Sequence, residues 1–190
     1  AANLDLIAAA TIGVVTVTIS DGAVAATLAA IANVDANDVI TFTTTDTSAD
    51  ASDLVALDAK VDTFTTTTVV TITEGAASIG TDAATVLAAL VIAPGAAVTI
   101  TGAISAANLD LIAAATIGVV TVTLDPATAL SDATVTVLAN VDASDVITLA
   151  STAVTADASA LVTLNTLADT KSFDNVVTIT EGAASIGTDA

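Results

Sequence analysis

Apolar and polar positions along this chain follow two rhythms that take turns. In the stretches 14–19 "VVTVTI", 38–44 "DVITFTT", 69–73 "VVTIT" and 97–101 "AVTIT", apolar residues and Thr alternate with period two, which predicts half-buried strands. The same pattern returns at 119–124 "VVTVTL", 145–150 "DVITLA" and 176–180 "VVTIT". Ahead of most of these tails, apolar residues stand three apart on an Ala-rich background: Leu4 and Ile7, Leu28 and Ile31, Leu54 and Leu57, Leu87 and Leu90, Leu161 and Leu164. That spacing puts each pair on one face of a short helix, and Ala favours the helix while letting neighbours approach closely. Ser, Thr or Asp precedes several of them, as in "TSADASDLVAL" and "TADASALVTL", where such side chains cap free backbone N–H groups. Each short helix hands over to a strand.

A longer period lies over this one. Residues 1–18 equal 106–123, a shift of 105, and residues 69–83 equal 176–190, a shift of 107; a small insertion in the stretch between Ile19 and Asn33 accounts for the difference. The chain therefore divides into a first repeat unit, 1–105, and an incomplete second one, 106–190. Near-identity of this kind is the mark of a tandem array extended by copying, and the chain, which has no initiator Met and no recognisable signal peptide, reads as a mature or excised piece of something longer. Strand starts fall 22 to 31 residues apart, so about four helix–strand coils make one unit.

A single coil is too small to bury its own apolar stripe and must be stabilised by stacking on its neighbours. The expected fold class is an α/β repeat: one continuous solenoid with one parallel β-sheet and short helices on its inner face. The alternative is a string of tandem β-sandwich domains, since about 105 residues is also the size of one immunoglobulin-like domain. Ala-rich helical segments between the strands and the scarcity of hairpin signals favour the solenoid.

Strand side chains alternate between faces, and this sorts the Thr residues. Val15, Val17 and Ile19 oppose Thr16 and Thr18; Ile40 and Phe42 oppose Thr41 and Thr43; Val70 and Ile72 oppose Thr71 and Thr73; Val98 and Ile100 oppose Thr99 and Thr101. Thr121 and Thr123, Thr148, and Thr178 and Thr180 continue the series in the second unit, with Ala150 where a second Thr is expected. The expected result is two parallel Thr ladders on one outer face. Thr is a good former of half-exposed sheet, which explains the ladders without a ligand. A Thr-x-Thr in each coil also resembles the flat arrays of β-solenoid antifreeze proteins, and such a face could dock laterally onto another copy.

Charge narrows the partners. Lys60 and Lys171 stand against 21 acids, for a net charge of −19, which argues against nucleic-acid binding and against anionic membranes. The uncharged stretch 83–100 "AATVLAALVIAPGAAVTI" imitates a membrane span, but Pro94-Gly95 interrupts it, so helix, turn and strand are expected there and no membrane insertion. The acids Asp21, Asp46, Glu74, Asp125 and Glu181 each follow a strand. One account places each at the start of the next helix, favoured by the helix dipole; calcium bridging between coils is the other. "NVDAND" at 33–38 and "NVDASD" at 140–145 read as turns before strands. There is no His or Cys, no glycine-rich phosphate loop and no aromatic pocket lining, so no catalytic, cofactor-binding or metal-ligating set is assigned and no enzyme activity is expected; calcium is the one cofactor left open.

At "NLDLIAAATIGVVTVT" and "DASDLVALDAKVDTFT" the chain resembles the Ala/Asp/Thr-rich tandem repeats of giant bacterial extracellular surface and matrix proteins, cyanobacterial ones among them. The resemblance is compositional and covers essentially the whole chain. It implies an extracellular or cell-surface structural protein that builds a filament, sheath or surface layer and associates with itself end to end or laterally. The alternative is a binding module, either an ice-binding Thr face or a calcium-dependent adhesin stalk.

Overall fold

Helix and strand alternate along the chain because the 3-residue and 2-residue apolar rhythms alternate. The computed structural model describes residues 1–79, 83–176 and 178–181. The first unit runs α1 (Ala2–Ala10), β1 (Thr16–Gly22), α2 (Val24–Ala30), β2 (Val39–Thr44), β3 (Ser48–Asp50), α3 (Ala51–Asp58), β4 (Thr63–Thr65), β5 (Thr71–Gly75), α4 (Ala76–Ile79), α5 (Ala84–Ile92) and β6 (Ala97–Ile104). The second repeats most of that order: α6 (Ala106–Ala115), β7 (Val120–Leu124), α7 (Asp132–Val137), β8 (Val146–Ala150), β9 (Thr155–Asp157), α8 (Ala158–Leu167), β10 (Thr170–Ser172) and β11 (Thr178–Thr180). Residues 83–100 form a helix, a turn at Pro94-Gly95 and a strand, and no helix among the described residues is long and apolar enough to cross a membrane.

Every strand pairing among the described residues is parallel, and no sheet closes into a barrel. The molecule is thus an α/β fold with parallel sheets, and the antiparallel sandwich alternative is excluded. The single expected sheet is three sheets: β1-β2-β4, β10-β8-β7-β6-β5-β3 and β11-β9. The additional strands β3, β4, β9 and β10 are three residues each, too short to show an alternation of their own. Their presence changes the connectivity. The order β1-β2-β4 in the first unit returns as β7-β8-β10 in the second, and β3-β5 returns as β9-β11. Strand β6 joins β5 to β7, so the central sheet begins as the second ladder of one unit and continues as the first ladder of the next.

The join requires a bend. The β6–β7 register slips between Thr99 and Ala103, where Gly102 has φ +103 and an added Cβ would stand 3.0 Å from Ala76 Cβ. Only glycine takes that backbone conformation at little cost.

The helices contact one another in sequence order, from α1 through α2, α3, α5, α6 and α7 to α8. Their inward faces meet the apolar strand faces in one core that extends from Leu4 to Ala168. In α3, Leu54 and Leu57 are fully buried, and Asp50 caps the helix by accepting from Ser52 N (3.0 Å) and Asp53 N (3.4 Å). Ile40, Ile72, Val98, Val120 and Ile147 are buried from the strand side, as their alternation predicts. Val70 is a correction: it precedes β5 and is 60% exposed, while its neighbour Val69, placed by a turn, is buried. Phe42 is the largest fully buried side chain; its ring lies 5.3 Å from that of Phe64 and presses on Gly22, where a Cβ would come within 2.6 Å.

Phe42→Ala is expected to lower folding stability by about 3–5 kcal/mol, the usual loss for a buried ring and its cavity. Gly22→Ala, which leaves the core composition intact, is expected to destabilise by crowding the same ring. Urea denaturation of both variants checks this.

Candidate functional site

Without His or Cys, chemistry in this chain rests on carboxylates, hydroxyls and two ammonium groups. The carboxylates are engaged with the backbone of a neighbouring segment. One set sits just before a strand and accepts the N–H at the start of the strand beside it. Val15 N donates to Asp38 Oδ1 (2.8 Å), Ile40 N to Asp62 Oδ2 (2.8 Å), Val120 N to Asp145 Oδ1 (2.9 Å) and Ile147 N to Asp169 Oδ2 (3.0 Å). A second set sits after a strand and accepts the first free amides of a helix. Val24 N donates to Asp46 Oδ2 (2.7 Å), Ser52 N to Glu74 Oε2 (3.2 Å) and Ser159 N to Glu181 Oε2 (3.0 Å). A third pair joins helix to turn: Asn33 gives both its backbone N–H and its side-chain amide to Asp5, and Asn140 does the same to Asp110.

These links correct one expectation and sharpen another. Asp46, Glu74 and Glu181 do lie at helix starts, but each caps the helix 22 residues earlier in the chain, not the one that follows it. The reason is geometric: parallel strands place the end of one strand beside the end of its predecessor, where the predecessor's helix begins. Asp21 and Asp125 make no such link. Asp21 is exposed with φ 60, and Asp125 closes a local turn by accepting from Ala127 N (2.8 Å). The 33–38 and 140–145 stretches are turns, as expected: Asp35 accepts from Asn37 N and Asp142 from Ser144 N. Ser144 gives its hydroxyl to Asp142 as well (2.6 Å), and these bonds hold the Asp142 carboxyl below the usual carboxylate range.

Both lysines face carbonyls. Lys60 Nζ reaches the oxygens of Ile31 (3.4 Å), Ala32 (3.5 Å) and Val34 (3.3 Å), past the end of α2, and Lys171 Nζ donates to Asn165 and Ala168 (2.9 Å) at the end of α8. A cation at a helix C-terminus complements the dipole. Among the described residues no three acidic side chains converge as a metal site would require.

The Thr residues do not share one face. Thr41 and Thr43 align with Thr63 and Thr65 in the three-stranded sheet, while Thr71 and Thr73 belong to the six-stranded sheet and align there with Ala97 and Thr99. Thr178 and Thr180 lie in the two-stranded sheet, and Thr16 stands opposite Val39. Several hydroxyls are used as the carboxylates are, between segments: Thr73 Oγ1 donates to Ala49 O (3.3 Å), Thr116 Oγ1 to Ala96 O (2.8 Å) and Thr68 Oγ1 to Thr44 O (2.9 Å). An open cleft of about 470 Å³ lies beside α6 and α7, lined mainly by Ala and Thr with Ser105 and Asp125 at its edge. It falls where the two units differ in length and gathers no acid–base pair.

Sequence reasoning found the acids but missed their partners. The signal was present: helix starts at Val24, Ser52 and Ser159 are each followed by an acid at the same 22-residue distance. Comparison with family models, with curated proteins and with solved structures finds no match for this chain.

Asp145 is buried and also accepts from Asp142 N, so Asp145→Ala strands the Val120 amide and is expected to destabilise by about 1–3 kcal/mol. Asp145→Asn, which keeps one acceptor oxygen, is expected to lose less; urea denaturation separates the two. For Asp142 the sign follows from the lowered pKa: its contribution is present above the ordinary carboxylate value and fades as pH falls through the folded one. An NMR titration should find Asp142 ionising below a free Asp, and Ser144→Ala should move it back up.

Proposed function

We propose that this chain is a structural repeat protein, an α/β solenoid that builds an extracellular filament, sheath or surface layer by stacking of its coils. The observation that carries this reading is the relay of ladders: β6 leads the second ladder of one unit directly into the first ladder of the next. A unit built so continues without a change of architecture, and each added copy buries apolar surface that the previous one leaves open. Carboxylate and hydroxyl links between segments support the same role, since they spend the polar side chains on cohesion. Self-association, end to end or lateral, and a cell-surface or extracellular location belong to this proposal, as does the absence of enzymatic activity.

The binding-module alternative has less support. Ice recognition needs a flat, regular lattice, and the Thr residues here are distributed over three sheets with offset registers. A calcium-dependent stalk needs clustered ligands, whereas these acids are spread singly along the backbone they hold.

Net charge −19 opposes assembly by repulsion between copies, which salt screens within about 10 Å at 0.1 M. Light scattering is therefore expected to rise with ionic strength, and negative-stain microscopy at high salt to show linear or sheet-like assemblies; monodisperse particles throughout would reject the proposal. Thr71→Val with Thr73→Val is expected to lower stability by about 0.5–1.5 kcal/mol through the lost Thr73–Ala49 bond, with no retention of the parent protein in ice. A melting midpoint raised by calcium and lowered by chelator would favour the adhesin alternative.

A further inference from the structure

The same eighteen residues occupy two positions in this molecule, 1–18 and 106–123, and only one of them is covered. In the second position the α5–β6 segment lies against them. Strand β6 pairs with β7, α5 contacts α6, Val98 N donates to Val119 O (2.9 Å), and Thr116 Oγ1 donates to Ala96 O (2.8 Å). Ser105 caps α6 by accepting from Asn108 N (3.2 Å), whereas α1 has Ala1 at its start and no side-chain cap. Burial follows. Ile112 is fully buried and its counterpart Ile7 is 55% exposed; Val119 is 38% exposed and its counterpart Val14 64%. Val120 and Val122 are buried, but Val15 and Val17 only half so.

Gly118 shows how closely the cover fits. A Cβ there would stand 2.6 Å from Ala96 O, so the backbone of the covering segment excludes any side chain. At the counterpart Gly13, a Cβ would meet only its own Thr11 hydroxyl, at 3.4 Å. Nothing in its present surroundings requires glycine at position 13. The requirement appears only when the face is covered as its twin is.

We propose that the face formed by Ile7, Gly13, Val14 and the outer edge of β1 is a docking surface for one helix–strand segment with the sequence of residues 84–105, presented by a second copy of this repeat. That segment carries no charge, so its arrival adds nothing to the repulsion of this acidic chain. The partner strand adds in parallel to the β1 edge, its Val98 amide reaching Val14 O, and its helix covers Ile7. The assignment deepens the stacking role proposed above by naming which segment meets which face, and it rests on the paired burial and glycine observations.

Two extensions of the full 190-residue chain test it. In the first, a copy of residues 84–105 is placed before residue 1, recreating the junction that precedes residue 106. The expected result is a higher urea midpoint than the parent chain and than a chain extended by the same residues in scrambled order. Gly13→Ala should cancel that gain while moving the unextended chain little. Equal midpoints for native and scrambled extensions, or a gain that survives Gly13→Ala, would overturn the assignment. In the second, the copy follows residue 190, so one molecule carries both the face and its occupant. Sedimentation in 0.3–0.5 M salt (about physiological screening or stronger) should show oligomers that grow with concentration and vanish with Gly13→Ala. Sedimentation like the parent chain at every concentration would overturn docking between copies. Absence of filaments from the unextended chain would count against the assembly role alone, because the first extension reads the face without it.

Discussion

A helix with one or two short strands has an apolar side that only a neighbouring segment can cover, and everything else in this structure follows from that need. Leu54 and Leu57 of α3 are fully buried because β2, β5 and the flanking helices close over them, not because α3 is long or strongly amphipathic. Parallel pairing is the arrangement that lets each segment meet its predecessor in the same orientation, and the helix supplies the crossover that parallel strands require. Stability is therefore shared between neighbours, and no single segment owns its core.

The acidic surplus has a second use under the same constraint. Stacking leaves the first amides of each strand and helix facing the next segment, where water has limited access. Asp38, Asp62, Asp145 and Asp169 satisfy the strand amides, and Asp46, Glu74 and Glu181 satisfy the helix amides. A carboxylate accepts from a backbone N–H more strongly than a neutral group does, and a helix N-terminus adds favourable dipole charge. The residues that give the chain its charge are thus also the ones that hold its segments in register. The lysines play the complementary part at helix C-termini.

Identical sequence in two positions separates what is local from what is contextual. Residues 2–10 and 106–115 are helical in both copies, and β1 and β7 both follow, so the elements are written into the residues. Burial is not: Ile7 and Ile112 share sequence neighbours and differ wholly in exposure. Gly13 and Gly118 make the same point for the backbone, since the close approach that excludes a side chain comes from Ala96, a residue of another segment.

Read alone, the sequence determined the period, the duplicated unit, the main strands and helices, the interruption at Pro94-Gly95 and the turns at 33–38 and 140–145. These are properties of residues within a few positions of one another, where apolar rhythm, proline and Asx turns act directly. Tertiary structure decided the rest. The three-residue strands β3, β4, β9 and β10 exist because a neighbour's edge is there to pair with them, which no short alternation announces. The splitting of the Thr residues among three sheets depends on where each ladder begins and ends. The backward reach of Asp46 and Glu74 depends on which helix start the stacking brings beside them. Each of these is a relation between residues about one segment apart in the chain, and only the packing of one segment on the next converts that distance into contact.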